Sequence, residues 1–190
     1  MSSRVAVVTG ANKGVGFHIA SQLVKSGLFS TVILACRDVE RGRAAAMEVG
    51  GEFIAPLMVG DSDSTEAFAA AVASKYGRVD VLVNNAAIAF KGSDPTPFSQ
   101  QTKPTLDVNF RGTLAVTEAM LPLLRARGVE DPRIVNVASM AGKLRQLSPA
   151  LQSRFSSTTL SLAGLHQLVD QFEADVGTGT HKQNGWGNSN

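Results

Sequence analysis

Val5-Ala6-Val7-Val8-Thr9-Gly10-Ala11-Asn12-Lys13-Gly14-Val15-Gly16 carries four apolar residues straight into a glycine-rich loop. The apolar run reads as a short buried strand and the residues from Gly14 as the start of a helix. Glycine at 10, 14 and 16 lets the backbone turn tightly and come close to a pyrophosphate, while the first helical N–H groups and the positive helix end face the negative charge. Taken alone, the same residues also fit an ordinary strand-to-helix turn, so the reading depends on a repeating strand–helix context around them.

That context continues down the chain. A strand from Arg4 to Thr9 is followed by a helix from about Gly14 to Lys25, with a stop at Gly27. Thr31 to Cys36 reads as a second buried strand, and Asp38 to Val49 as a helix closed by Gly50-Gly51. The apolar stretch Phe53 to Val59 stands as a third strand and leads into Asp63-Ser64-Thr65-Glu66, an N-cap acid with a glutamate three residues on. Phe68, Val72 and Tyr76 mark the buried face of the next helix. Val79 to Val83 makes a fourth strand, Thr105 to Arg125 a long helix, and Arg133 to Val137 a fifth strand. This alternation predicts an α/β fold, a doubly wound parallel sheet with helices on both faces.

Composition points to one globular domain. The chain has 190 residues, of which 44% are hydrophobic, and a net charge of +2, which excludes a disordered chain. The longest apolar runs fall far short of the ~18 residues a membrane span needs, and the first strand follows Met1-Ser2-Ser3-Arg4 at once, leaving no room for a secretion signal. The single cysteine, Cys36, excludes an internal disulfide and fits a reducing, cytoplasmic setting. It lies in an apolar run and reads as core filler. The charges are spread along the chain, so neither nucleic acid nor a membrane is expected as a partner.

The Thr-Gly-x-x-x-Gly-x-Gly loop at 9–16, Asn84-Asn85-Ala86 after the fourth strand, Asn109 in the long helix and Ser139 after the fifth strand together resemble the short-chain dehydrogenase/reductases. Asn12-Lys13-Gly14, Ala35-Cys36-Arg37-Asp38, Asn85 to Lys91, Asp94-Pro95-Thr96-Pro97-Phe98 and His181 to Trp186 look more specifically like the monomeric NADPH-dependent carbonyl reductases. The likeness runs along the whole chain. It implies a monomer that reduces ketones, aldehydes or quinones to alcohols with hydride from NADPH.

The residues support that cofactor choice on their own chemistry. An acid near the end of the second strand takes the ribose hydroxyls in NAD-specific folds, and here that end reads Cys36-Arg37. Arg37 would accept a 2′-phosphate, with Lys13 and Arg41 completing a cationic clamp. Thr9, Gly10, Asn12, Gly14, Val15, Gly16, Asn85 and Ala86 are the remaining cofactor-binding candidates. Two departures from the family stand out: Ala87 replaces its usual glycine, and Met58 replaces an acid that would touch the adenine. By resemblance, Ser139 hydrogen-bonds the substrate carbonyl and Asn109 holds a water that relays protons. Phe90, Phe98, Gln101 and Trp186 are expected to line the substrate site. No histidine or cysteine spacing predicts a metal.

A carbonyl that accepts hydride must also gain a proton. The family supplies it from a Tyr-x-x-x-Lys pair, yet Tyr76 is the one tyrosine here, with Asp80 four residues on. The likeness places a helical insertion over residues 144–190 and the tyrosine just beyond Gly185-Trp186. The chain is therefore expected to be a C-terminally incomplete Rossmann domain, inactive as it stands. The alternative is a non-catalytic NADP-binding protein without a proton donor.

Overall fold

The computed structural model describes residues 4–187. In chain order its elements are β1 (Val5–Thr9), α1 (Gly14–Lys25), β2 (Thr31–Ala35), α2 (Val39–Val49), α3 (Ser62–Tyr76), β3 (Val81–Asn84), α4 (Phe98–Leu106), α5 (Thr113–Leu124), β4 (Arg133–Asn136), α6 (Pro149–Phe155) and α7 (Leu162–Gly177). A π-helical turn, Asp107–Gly112, precedes α5, and two 3₁₀ turns, Met140–Gly142 and Leu144–Gln146, follow β4. The chain divides into a sheet unit, up to Ile88 with Asp107–Val137, and a helical unit, Ala89–Leu106 with the residues from Ala138 onward.

In the sheet unit four parallel strands lie in the order β2-β1-β3-β4. Val5 to Thr9 pair with Thr31 to Ala35, Ala6 to Val8 pair with Val81 to Val83, and Val81 to Asn84 pair with Arg133 to Asn136. Strand residues alternate faces. Val5, Val7, Ile33, Ala35 and Leu82 pack with Phe68 and Val72 of α3 and Val116 and Met120 of α5. Ala6, Val8, Val32, Leu34, Val81 and Val83 pack with Ala20 of α1 and Ala45 and Ala46 of α2. Burying each large side chain of these two layers stabilises the fold by about 1.5–3 kcal/mol.

The predicted third strand does not form. Glu52 makes a single bridge to Ile33, with Leu34 N–H donating to its carbonyl and its own N–H donating to Val32, both at 2.8 Å. The chain then leaves the sheet, because Pro56 has no N–H to offer and Phe53 is drawn onto α2, where its ring sits against Gly42. It touches the edge again where Leu57 N–H donates to the Cys36 carbonyl at 2.9 Å. The fifth predicted strand is therefore β4.

Helix starts follow side-chain chemistry. Asp38 caps α2 by accepting from the Arg41 N–H at 2.9 Å. The α3 cap is Asp61, which accepts from Ser64 N–H at 2.7 Å, and not the expected Asp63. Ser64 decides between them, since its hydroxyl also accepts from the Met58 N–H at 2.8 Å and so fixes the preceding turn. At the opposite edge of the sheet, Asp80 is buried and accepts from the Val5 N–H at 2.8 Å and from Arg78 at 2.5 and 3.1 Å. Arg78 in turn donates to the Gly128 carbonyl.

In the helical unit Leu151, Leu168 and Trp186 form a small core joined by Leu147, Phe155, Leu160 and Phe172. Ser148 caps α6 and Ser161 caps α7. Residues Asn188 to Asn190, at the point where the family tyrosine was expected to follow, lie outside the described residues. Among the described residues no helix is long and apolar enough to cross a membrane.

Candidate functional site

The sheet unit places the glycine loop at the carboxyl edge of its strands, the edge where an α/β sheet presents ligands. Thr9 ties it down. Its hydroxyl accepts from the N–H groups of Asn85 at 3.0 Å and Ala86 at 2.9 Å and donates to the Val83 carbonyl. Asn85 returns the tie, its side-chain amide donating to the carbonyls of Thr9 at 3.0 Å and Gly10 at 3.3 Å. Gly16 closes the interlock, for a Cβ there would lie 2.6 Å from the Gly10 carbonyl oxygen and overlap the Asn85 amide. The loop is thereby built before any ligand arrives. Sequence reading took Asn85 for a cofactor contact; the structure gives its side chain a latch to hold, which the Thr9–Asn85 separation of 76 residues hid from view.

The mouth of the loop is open. Lys13, Gly14 and Val15 are exposed, Asn12 is half-buried, and Gly14 has no neighbour where a side chain would stand. Lys13 is the α1 N-cap and makes no capping bond with its side chain. Arg37, just past β2, is exposed and pairs with no described acid, whereas Arg41 leans on Asp38 at 3.5 Å. A dinucleotide phosphate fits these residues: open N–H groups at a helix start, two uncommitted cations, and an acid after β2, Asp38, that is engaged as the α2 cap. Ala87 keeps an ordinary backbone conformation and an exposed methyl, so the missing glycine costs nothing here. Met58 is half-exposed, and its side chain offers no acceptor comparable to a carboxylate. Cys36 is buried, and burial pushes its thiol pKa up, which suits packing and not reactivity.

Asn109 lies inside the π turn. The turn is braced by Arg111 donating to Asp107 at 2.9 Å and by the Thr113 hydroxyl reaching the Val108 carbonyl, and its last residue, Gly112, backs directly onto Gly60. Wide turns of this kind recur at functional sites. Both groups of the Asn109 amide are engaged by one residue: Oδ1 accepts from Ile88 N–H and Nδ2 donates to the Ile88 carbonyl, each at 2.8 Å. Nearby, Asn84 donates to Asn136 at 2.8 Å and Thr117 at 3.0 Å, tying β3 to β4 and α5.

The helical unit carries Ser139 and the four expected wall residues. Ser139 is exposed and its Oγ accepts from the Ala141 N–H at 3.1 Å, which leaves the hydroxyl proton free to donate outward. Met140 and Leu144 stand exposed beside it. Phe90 and Phe98 are half-buried, and Phe98 lies 5.5 Å from the His181 ring. Asp94 orders the segment between them by accepting from Thr96 N–H, which holds its carboxyl below the usual range. Gln101 is committed to the Thr96 carbonyl at 2.6 Å. Trp186 is not on an open wall as expected. Its indole is buried against Phe155 and Phe172 and donates to Asp175 at 2.6 Å.

Tyr76 is excluded as a proton donor by its surroundings. Its hydroxyl donates to Glu52, which also pairs with Lys75, and burial raises its pKa against the opposing pull of Thr31. A catalytic phenol needs the reverse shift.

Residues 4–176 match the family profile described as short chain dehydrogenase. The chain belongs to the short chain dehydrogenase family. It is 41% identical to carbonyl reductase [NADPH] 1 of Sus scrofa over 99% of this chain and 65% of that protein, and 42% identical to the Homo sapiens protein of the same name over 97% and 67%. The chain therefore spans about two thirds of the length of these relatives. Among solved structures it superposes on menthone neomenthol reductase from Mentha piperita with a TM-score of 0.84 and 30% identity, covering 98% of this chain and 78% of that one.

Proposed function

We propose that this chain is the cofactor-binding and substrate-facing part of an NADPH-dependent carbonyl reductase acting on small ketones, aldehydes or quinones. The observation that carries the reading is the preformed loop of Thr9, Gly10, Gly16 and Asn85 opening toward two uncommitted cations, Lys13 and Arg37. The names of the relatives, carbonyl reductase [NADPH], agree with it. Bound NADPH would supply the hydride. The loop N–H groups hold the pyrophosphate, and Arg37 and Lys13 hold the 2′-phosphate, with Arg41 adding long-range attraction. The exposed Ser139 hydroxyl donates to the substrate carbonyl, while Asn109 holds a relay water. Phe90, Phe98 and Met140 favour an apolar or aromatic substrate. Cytoplasmic location and a monomeric active form complete the proposal, supported by the single buried, unpaired cysteine.

Arg37→Asp tests the reading. It exchanges an attractive contact for a repulsive one at the 2′-phosphate, so NADPH binding should weaken by at least about tenfold while NADH binding changes little. Titration of both nucleotides by intrinsic fluorescence or calorimetry decides it. An unchanged preference for NADPH would remove Arg37 from the cofactor site.

A further inference from the structure

Three hydrogen bonds connect Ser139 to a side chain seven residues on. The Gln146 amide donates to the Ala141 carbonyl and reaches the Met140 carbonyl at 3.4 Å, while the Ala141 N–H donates to the Ser139 Oγ at 3.1 Å. The Gly142 N–H also donates to the Ser139 carbonyl at 3.0 Å. One amide thus grips both peptide planes that follow the serine.

Gln146 itself is held from the far side. Its N–H donates to the Lys143 carbonyl at 3.1 Å, and Gly187 presses on its carbonyl so closely that a Cβ at 187 would overlap it. Gly187 has φ of 75°, a conformation that side chains resist. Two residues further along, the Ser148 N–H donates to the Gly185 carbonyl at 2.8 Å. Between the two glycines, Trp186 is anchored in the core of the helical unit by its ring contacts and by Asp175. The rigid core therefore reaches the exposed Ser139 turn through Gly187 and Gln146. The two-turn stretch from Met140 to Gln146 is exposed throughout, and apart from the Gln146 side chain it is held by short backbone bonds.

We propose that Gln146 is a positioning residue for Ser139, setting the direction of its hydroxyl by clamping the Met140–Ala141 peptides. The catalytic consequence rests on the reading of Ser139 as the group that faces substrate. The holding of the turn does not. A glutamine suits the task because two acceptors lie on one side of it and its side chain brings two donors and no charge.

The test compares Gln146→Leu, which keeps an uncharged side chain and removes both donors, with Gln146→Lys, which restores a donor. Ser139→Ala serves as reference, and all are made in the full-length product of the gene. Gln146→Leu should accelerate amide hydrogen exchange at Ala141 by about tenfold and lower kcat by about tenfold with the KM for NADPH unmoved. Gln146→Lys should recover most of both losses. Wild-type exchange at Ala141 in Gln146→Leu overturns the clamp. Faster exchange with unchanged kcat, in an enzyme that Ser139→Ala disables, overturns the positioning role. If Ser139→Ala is itself silent, the reading of the site fails and the exchange measurement alone judges the clamp.

Discussion

Ser139 shows how much a single atom's bonding decides. Its Oγ is occupied as an acceptor by the Ala141 N–H and keeps its proton for a ligand, the polarity needed to meet a carbonyl on which negative charge is developing. In the full-length product, Ser139→Ala is expected to lower kcat by about 10²-fold while NADPH affinity stays near that of the parent, a split that steady-state kinetics with a nucleotide titration reads directly. A parental kcat would take Ser139 out of the reaction. Where the candidates fall was largely legible from the sequence, since Thr9 ends β1, Asn85 follows β3 and Ser139 comes soon after β4. What each side chain does was less legible. Asn109 and Asn85 are read from the chain as groups waiting for water or nucleotide, and in the fold both amides also bond backbone partners at Ile88, Thr9 and Gly10. Trp186 follows the same pattern, an aromatic next to a glycine that serves the core of the helical unit.

Elements whose borders are set by local chemistry match their reading. The helix expected from Gly14 to Lys25 has those limits, and Asp38 and Gly50 bound α2 as an N-cap acid and a left-handed glycine should. Elements set by distant contacts do not match. The third strand fails on one proline and one misplaced ring, and nothing local announces the π turn, which exists where Gly112 meets Gly60, 52 positions earlier in the chain. The same distinction yields a prediction at the glycine loop. Gly16→Ala is mild by helix propensity, but its methyl would meet the Gly10 carbonyl at 2.6 Å and push on the Asn85 amide. Overpacking of this sort costs about 1–3 kcal/mol, so the melting temperature should drop by about 2–10 °C and NADPH binding should weaken with it. Calorimetry and nucleotide titration on the same variant test the coupling; a normal melt with normal binding would show the interlock to be slack.

For the molecule as a whole, the chemistry and the surface lead to one expectation. The 190 residues contain no tyrosine free to protonate a carbonyl, since Tyr76 is bound to Glu52. A missing general acid costs about 10²–10⁴ in rate, and we expect no measurable NADPH-dependent reduction of quinones or aromatic aldehydes by residues 1–190 alone. Turnover by a purified sample would point to a proton donor outside this account. The same sample should associate with itself, because β4 leaves Ile134 41% and Val135 46% exposed and pairs on one side alone among the described residues, and an apolar groove of about 480 Å³ runs along α1 past Val15, Ile19 and Leu23. Sedimentation velocity should reveal that association, and Val135→Lys should reduce it. The knot at Thr9 has a consequence in time as well as in space. Two of its partners, Asn85 and Ala86, are synthesised 76 and 77 residues after it. A nascent chain that has emerged only through β2 carries every glycine of the loop and the Ala35 carbonyl that holds Gly10 and Ala11, but not the Asn85 interlock, so the loop is not yet fully built for nucleotide at that stage. Competence to bind begins when β3 docks beside β1, which makes cofactor capture a report that the centre of the sheet has closed.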